Sequence, residues 1–198
     1  MRILNKWISR SQGRSGQALV EFMFVGFILL FLLFGMIDFC RAISTRQILI
    51  NLSREGANEA ARGIGDTTDA TISNAIAAVI TGASPLDMNA HGRVIISAVL
   101  NQGSGTFKIT NQISKGSMTN VSSKIGVLNA VGSGAAGSGV VMPFLASAQG
   151  AIPQTNQTAF VAEVYYNFTP ATPLGHVAVG NIMRGFTVTN QLYDVAYF

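Results

Sequence analysis

The feature that most constrains this chain is a stretch of 20 residues, Ala18 to Ile37, in which Glu21 is the only charged side chain. At 1.5 Å of rise per residue, a helix of this length spans the ~30 Å hydrocarbon core of a bilayer. Its apolar residues occur on every side of the helix, which argues against an amphipathic helix lying on a surface. We therefore expect a helix that spans a membrane or lies in the core of a filament.

The charges of the chain are distributed unevenly. Basic residues without any acidic neighbour precede the apolar stretch: Arg2, Lys6, Arg10 and Arg14. The positive-inside rule then predicts a cytoplasmic N-terminus and an extracytoplasmic C-terminal part. Nine basic and nine acidic side chains follow residue 16, so the formal net charge of +4 comes from the leader. A chain that is neutral beyond its leader gains little from counterion release, which argues against nucleic acid as a partner.

The residues that follow the apolar stretch argue against two kinds of cleaved signal. A secretory signal needs a small-x-small site after the stretch, and residues 35–41 contain none. The residues before Cys40 make a poor lipoprotein signal. An uncleaved signal anchor explains everything except Glu21 and stays open as the alternative. Because Cys40 is the only cysteine, an internal disulfide framework and a Cys-rich metal site are both excluded.

Glu21 lies one turn into the apolar stretch. An ionised carboxylate costs about 2.5–3.5 kcal/mol at the centre of a bilayer and less near its surface. Glu21 can be hydrated at the headgroup level, or it can find a charged partner. The setting favours a partner, because Gly16 ends a basic, Ser-rich leader shortly before it.

The sequence of residues 16–22, Gly-Gln-Ala-Leu-Val-Glu-Phe, resembles the processing site of type IV prepilins. In detail it is similar to that of TadE-like minor pilins or pseudopilins of tight-adherence (Tad/Flp) pilus systems. Three further segments look TadE-like: residues 34–41 at the membrane exit, 52–62, and 161–174. Cys40 departs from the small residue, usually Gly, that the family places before Arg41, and residues 85–155 carry no motif of the family.

The resemblance implies that a prepilin peptidase cuts between Gly16 and Gln17, which makes Glu21 the fifth residue of the mature chain. A small residue suits the cut because an extended backbone must enter the protease cleft closely. The new ammonium group at Gln17 can pair with Glu21 of a neighbouring subunit in a low-dielectric filament core, which would set the axial register. Phe22 shares the assembly role of Glu21. Residues assigned to the membrane exit and helix packing are Asp38, Arg41, Arg54 and Glu55.

The resemblance also implies a function in pilus assembly and, through it, in surface adhesion. The expected partners are the prepilin peptidase, other pilin or pseudopilin subunits, the assembly platform and membrane lipid. The expected location is the bacterial inner membrane, as a single-pass protein that can enter a pilus. The alternative is an uncleaved anchor that presents an adhesin or scaffold head. We expect no enzyme, catalytic residue, cofactor or metal site, since no nucleophile, base and orienting residue form a recognisable set.

The domain organisation follows from the same features: a leader at 1–16, a long helix at 17–62 that spans the membrane at about 18–37, and a head at 63–198. Charged side chains at helical spacing near the end of the helix, Glu59 and Arg62 among them, suggest a solvated face. Apolar side chains able to pack under the head are Ile43, Ile48, Leu49, Leu52, Ala57, Ala60 and Ala61.

The head is expected to be α+β with an antiparallel sheet. A short amphipathic helix, capped within residues 66–69, ends at Gly82. Alternating apolar residues predict strands at 93–100, 106–113, 160–168 and 186–193, the first two joined by a glycine turn.

Residues 132–137 match the pattern GxGxxG. Pro143 follows soon after, the next acidic residue is Glu163, and no strand–helix alternation surrounds the pattern. A dinucleotide-binding turn needs that context. The pattern is therefore interpreted as part of a mobile Gly/Ser/Ala loop at 132–139.

Overall fold

The computed structural model describes residues 14–63, 67–142, 154–172 and 191–198. Its helices are α1 (Arg14–Ala61), α2 (Asp69–Gly82) and α3 (Met88–His91). Its strands are β1 (Gly92–Gly103), β2 (Thr106–Gly116), β3 (Val131–Gly132), β4 (Thr158–Asn167) and β5 (Gln191–Tyr197). The predicted fold class is confirmed: a long apolar N-terminal helix is followed by a head with a short helix and an antiparallel sheet.

The chain divides into two compact units. The first contains Met1–Ala42 and Pro170–Val188, and the second contains Ile43–Thr169 and Thr189–Phe198. The N-terminal part of α1 belongs to the first unit, and its C-terminal part belongs to the second.

The part of α1 in the first unit exposes large apolar side chains on every side, from Leu19 to Phe39. Among the described residues, this is the one helix long and apolar enough to cross a membrane. A helix that is apolar all round requires lipid or other apolar helices around it, because water solvates such a surface poorly. The helix therefore fits a membrane-anchored protein.

The second unit is built on a five-stranded sheet with the strand order β3-β2-β1-β4-β5. All neighbouring strands are antiparallel. In the centre of the sheet, Ile96 of β1 lies between Ile113 of β2 and Ala162 of β4. Because side chains alternate along a strand, each long strand contributes residues to both faces of the sheet.

One face of the sheet packs against α2 and the C-terminal part of α1. Helical spacing on α2 directs Ile72, Ile76 and Val79 into this core, as expected of the short amphipathic helix predicted here. At Gly56, α1 lies close to α2, because a Cβ on this residue would lie 2.8 Å from a methyl carbon of Val79. The strands β1 and β4 contribute six residues to this core: Val94, Ile96, Ala98, Phe160, Ala162 and Val164.

The other face of the sheet is covered by the chain that connects β2 to β4. Ile125, Val140 and Met142 of this connection are buried against Val99, Phe107, Ile109 and Val161 of the sheet. The sheet thus has two apolar faces, one under helices and one under a loop.

Several predicted boundaries need correction. The second strand of the hairpin continues to Gly116, three residues beyond its predicted end. The last strand is described from Gln191 and continues to Tyr197, so its predicted end at Tyr193 is wrong. Residues 186–190 of that prediction lie outside the described residues, as does Asp66 of the proposed capping segment 66–69. Thr68 is the N-cap residue of α2 and makes no side-chain cap hydrogen bond, and Asp69 lies in the first turn of the helix. Ile43, predicted to pack under the head, is exposed.

Candidate functional site

The predicted processing site lies at the beginning of α1. Gly16 and Gln17 are exposed, and a Cβ built on Gly16 would meet no atom within 4 Å. A larger side chain at residue 16 would therefore leave the folded chain undisturbed. The leader residues 1–13 lie outside the described residues.

The predicted assembly residues follow within the next two turns. Glu21 and Phe22 are both exposed, and they stand at the start of the apolar surface. On the surface of the helix, Glu21 lies next to Phe24 and Val25, which follow it by three and four residues and are both exposed. A carboxylate in this position is free to meet a group from another molecule in an apolar setting, where a cation would be its preferred partner.

Asp38 differs from Glu21, because its carboxylate is buried and satisfied within the chain. Only 7% of the residue is exposed. The backbone N–H groups of Ala171 and Thr172 donate to Oδ1 at 2.9 and 3.2 Å, and the Thr172 hydroxyl donates to Oδ2. Such charge-assisted bonds are stronger than neutral ones. Asp38 therefore holds the segment after β4 onto α1 within the first unit.

The other charged residues assigned to helix packing lie on the surface. Arg41, Arg54 and Glu55 are exposed. Further along, Arg62 pairs with Glu59 at 3.1 Å on an exposed face of the helix. An exposed pair of this kind contributes only about 0.3–0.5 kcal/mol. The solvated face expected for this end of the helix is confirmed.

The residues between these charges pack on the sheet. Leu52, Ser53, Gly56 and Ala57 are buried, and the Ser53 hydroxyl donates either to the Ile50 carbonyl or to the Asp194 carboxylate of β5. The small residues of segment 52–62 therefore allow α1 to approach the sheet closely.

A second polar site lies on the loop-covered face of the sheet and was not anticipated from the sequence. Glu163 of β4 is fully buried, yet its carboxylate accepts four hydrogen bonds. The backbone of Lys124 donates at 2.9 Å, the hydroxyls of Tyr193 and Tyr165 at 3.1 and 3.2 Å, and the Ser123 hydroxyl also donates. A buried carboxylate is tolerated only with such donors.

The two tyrosines of this cluster act as hydrogen-bond donors over the ordinary pH range. Burial, followed by the charge of Glu163, raises the pKa of both phenols above the ordinary value of 10.0. The Lys124 ammonium lies 3.5 Å from the centre of the Tyr193 ring, a cation–π contact. Glu163 thus binds residues 123–124 of the loop to two strands of the sheet.

The GxGxxG segment is held against the edge of the sheet at its first glycine. Val131 and Gly132 form β3, and an isolated bridge joins Gly134 to Val141 of the same connecting chain. A Cβ on Gly132 would lie 2.3 Å from the Val140 nitrogen, so this glycine is required by backbone packing. Up to Met142, where the described part of this segment ends, no helix follows the glycines, as a dinucleotide site would require.

Comparison with known families bears on the first of these sites. Residues 16–58 match the model of the TadE-like protein family. The resemblance carried by the sequence is thereby confirmed for this part of the chain. The match begins at Gly16, includes the exposed apolar surface, and ends in the segment that packs on the sheet. No curated protein and no solved structure matches the chain.

The geometry separates the predicted residues by their surroundings. The residues of the processing and assembly sites lie at one exposed end of α1, at positions 16, 17, 21 and 22. Asp38 instead accepts hydrogen bonds from Ala171 and Thr172 of the same chain. Sequence reasoning missed Glu163 and its donors. One signal was available: in the alternation of β4, an acidic residue takes an inward position between Val161 and Tyr165.

Proposed function

We propose that this chain is a minor pilin or pseudopilin of a Tad-type pilus. It is made as an inner-membrane precursor with its N-terminus in the cytoplasm and its head outside. A prepilin peptidase cuts it after Gly16, and the mature chain joins other pilin or pseudopilin subunits at the assembly platform. Its role is assembly, which in turn supports surface adhesion, and it performs no catalysis.

The observation that carries this proposal is the TadE-like match of residues 16–58, which begins at the proposed cut. The exposed apolar surface of α1 adds physical support. Such a surface is stable in lipid before assembly and among other apolar helices after it, so one helix serves both states. A head held by its own two cores does not depend on this surface.

Glu21 has a specific role in this proposal. Cutting after Gly16 creates an ammonium group on Gln17, four residues before the carboxylate. Within a filament core, an ion pair between Gln17 of one subunit and Glu21 of another is much less costly than either charge alone. The ion pair would therefore stabilise one axial register of the subunits relative to the others.

The first experiment determines the N-terminal residue and the intact mass of the protein isolated from cells with and without the prepilin peptidase. We expect a chain beginning at Gln17 only when the peptidase is present. A chain beginning at Met1 in both strains would contradict the proposal and identify an uncleaved anchor with an extracytoplasmic head.

The Gly16→Leu substitution tests the cleavage site itself. We expect processing to stop, because the larger side chain prevents close entry of the backbone into the protease cleft. The matched control is Gly26→Leu, since a Cβ on either glycine meets no atom within 4 Å. Normal processing of the Gly16→Leu chain would show that the peptidase does not cut here.

The Glu21→Gln substitution tests the ion pair. We expect a stable membrane precursor and normal processing, with at least a tenfold loss of incorporation into pili measured by immunoblotting of sheared filaments. Glu55→Gln is the control, because Glu55 is also exposed on α1 but lies beyond the apolar stretch. Equal incorporation of the two variants would remove the proposed role of Glu21.

A further inference from the structure

Asp38 and the two residues that donate to it, Ala171 and Thr172, form a contact that we name the Asp38 clasp. All three residues belong to the first compact unit of the chain. Asp38 directly follows Ile37, the last residue of the apolar stretch. Because the Cα–Cβ bond of a helical residue tilts toward the N-terminus, the Asp38 side chain points back toward that stretch. The clasp therefore lies level with the end of the apolar stretch.

The backbone of the clasp limits how far the hydrocarbon of a membrane can extend along α1. Ala171 and Thr172 lie outside every helix and strand, and Ala171 is exposed. Asp38 satisfies their two N–H groups, at 2.9 and 3.2 Å. Irregular backbone exposed to lipid does not occur within the hydrocarbon region, because its polar groups would lose their hydrogen bonds there. The hydrocarbon core therefore ends before the clasp.

Apolar side chains set the limit from the other direction. Leu33, Met36 and Ile37 are 54%, 64% and 42% exposed, and Phe39 is also exposed. The ring of Phe39 covers the turn that precedes its own Cα, because long side chains on a helix point back toward the N-terminus. An apolar surface of this kind needs lipid or other apolar helices around it. The two limits place the end of the hydrocarbon within one turn, or ~5 Å, of Asp38.

The layer that begins at this level of a bilayer consists of lipid headgroups, which extend roughly 5–8 Å beyond the hydrocarbon on each side. Arg41 is exposed and neighbours Asp38 on the helix surface, three residues further along. Its guanidinium matches the anionic phosphates of phospholipids. The Asp38 carboxylate adds little repulsion, because three donors occupy it and only 7% of the residue is exposed.

We propose that the Asp38 clasp lies in the phospholipid headgroup layer on the extracytoplasmic side, where Ala171 and Arg41 contact the headgroups. The inference rests on the proposed function, in which α1 is anchored in a membrane before assembly. It adds a second membrane contact, formed by the segment that follows β4 in the chain. Asp38 is then a positioning residue that holds this segment at the membrane surface.

Quenching of a fluorophore by nitroxide lipids measures this position. Because Cys40 is the only cysteine of the chain, single cysteines are introduced as Ala171→Cys and Ile28→Cys in a Cys40→Ser background. Both positions are exposed, and the N–H group of residue 171 is retained. The full-length chains, labelled with a nitrobenzoxadiazole maleimide, are reconstituted in vesicles of phosphatidylcholine and phosphatidylglycerol. The vesicles carry a nitroxide either on the headgroup or in the middle of the acyl chain.

We expect the headgroup nitroxide to quench position 171 at least twofold more than the acyl-chain nitroxide, and the order to be reversed at position 28. If neither nitroxide quenches position 171 while the acyl-chain nitroxide quenches position 28, the inference is wrong and membrane anchoring stands. Stronger quenching of position 171 by the acyl-chain nitroxide would also contradict it. If the acyl-chain nitroxide does not quench position 28, the helix does not enter the bilayer, which overturns both the inference and the membrane step of the proposed function.

A second set of variants tests the role of Asp38. Asp38→Ala removes the acceptor of all three hydrogen bonds, so headgroup quenching at position 171 should fall at least twofold, with no change at position 28. Thr172→Val removes only the hydroxyl donor and should have a smaller effect. Glu55→Ala, at another exposed acidic residue of α1, is the control. Near-ultraviolet circular dichroism verifies that each variant is folded. Equal quenching in the Asp38→Ala and Glu55→Ala chains would show that Asp38 does not hold the segment at the membrane.

Dilution identifies the occupant of this surface. Diluting the protein tenfold in lipid should leave the headgroup quenching at position 171 unchanged. An increase in quenching on dilution would indicate that a second copy, and not lipid, covers the segment at higher protein density, which would contradict the proposal.

Discussion

Residues 18–37 and residues 43–61 belong to one helix, yet their surroundings are opposite. In the first region, large apolar side chains cover the whole circumference and are exposed. In the second, the buried side chains occupy one side, and several of them are small. Leu30 and Leu49 illustrate the contrast, because 49% of Leu30 is exposed and Leu49 is completely buried.

The difference shows how one helix can serve two purposes. Small residues such as Gly56 and Ala57 permit close packing on a sheet of the same chain, which fixes the second region within the head. Bulky residues on all sides cannot be covered by one small head. The first region therefore needs lipid or other apolar helices around it. The comparison predicts that substitutions in this region affect membrane insertion and the proposed assembly, and leave the stability of the head unchanged.

The largest expected effect comes from a matched pair of leucines. Leu49→Ala should lower the free energy of unfolding by about 2–5 kcal/mol, because it leaves a cavity in the helix-covered core. Leu30→Ala should change it by less than about 0.5 kcal/mol. Urea unfolding of the detergent-solubilised full chain, followed by near-ultraviolet circular dichroism, measures both. Similar losses of unfolding free energy in both variants would contradict the difference between the two regions of the helix.

Glu163 tests whether the head also depends on its loop-covered face. Glu163→Gln should cost about 1–3 kcal/mol, because an amide cannot accept all four hydrogen bonds that the carboxylate accepts. The same urea experiment measures the loss, with the exposed Glu55→Gln as the control. If both substitutions leave the unfolding midpoint unchanged, the buried cluster does not hold the loop.

The smallest expected effect concerns Tyr193 and pH. Its phenol pKa is raised in the folded chain, by burial and by Glu163. Above about pH 10 the unfolded chain releases a proton that the folded chain retains, so stability should fall as the pH rises. Tyr193→Phe should make that fall less steep while costing about 1 kcal/mol at neutral pH. The free energy of unfolding is measured by urea unfolding of the original chain and of the Tyr193→Phe variant between pH 9 and 11. Identical slopes of this free energy against pH would contradict the prediction.

The sequence predicted the long helix, the second helix, the first hairpin and the α+β class, because hydrophobic periodicity and glycine turns are local signals. It did not predict how the segment at 132–139 would pack. Val140 and Met142, next to it, are buried through contacts with strands about 20 to 40 residues away. Three of the four donors to Glu163, which are Ser123, Lys124 and Tyr193, lie 30 to 40 residues away from it in the chain, so no local pattern could reveal them.

For the proposed site, the amino-acid sequence alone identified the apolar stretch, the Gly16–Gln17 junction and the unusual Glu21, and the family match supports the same segment. These features are contiguous, and their chemistry does not depend on folding. Only the tertiary structure decided that Asp38 is satisfied by Ala171 and Thr172. From the sequence alone, a carboxylate such as that of Asp38 is expected to lie on the surface. Its donors are more than 130 residues away in the chain, and only folding brings them together.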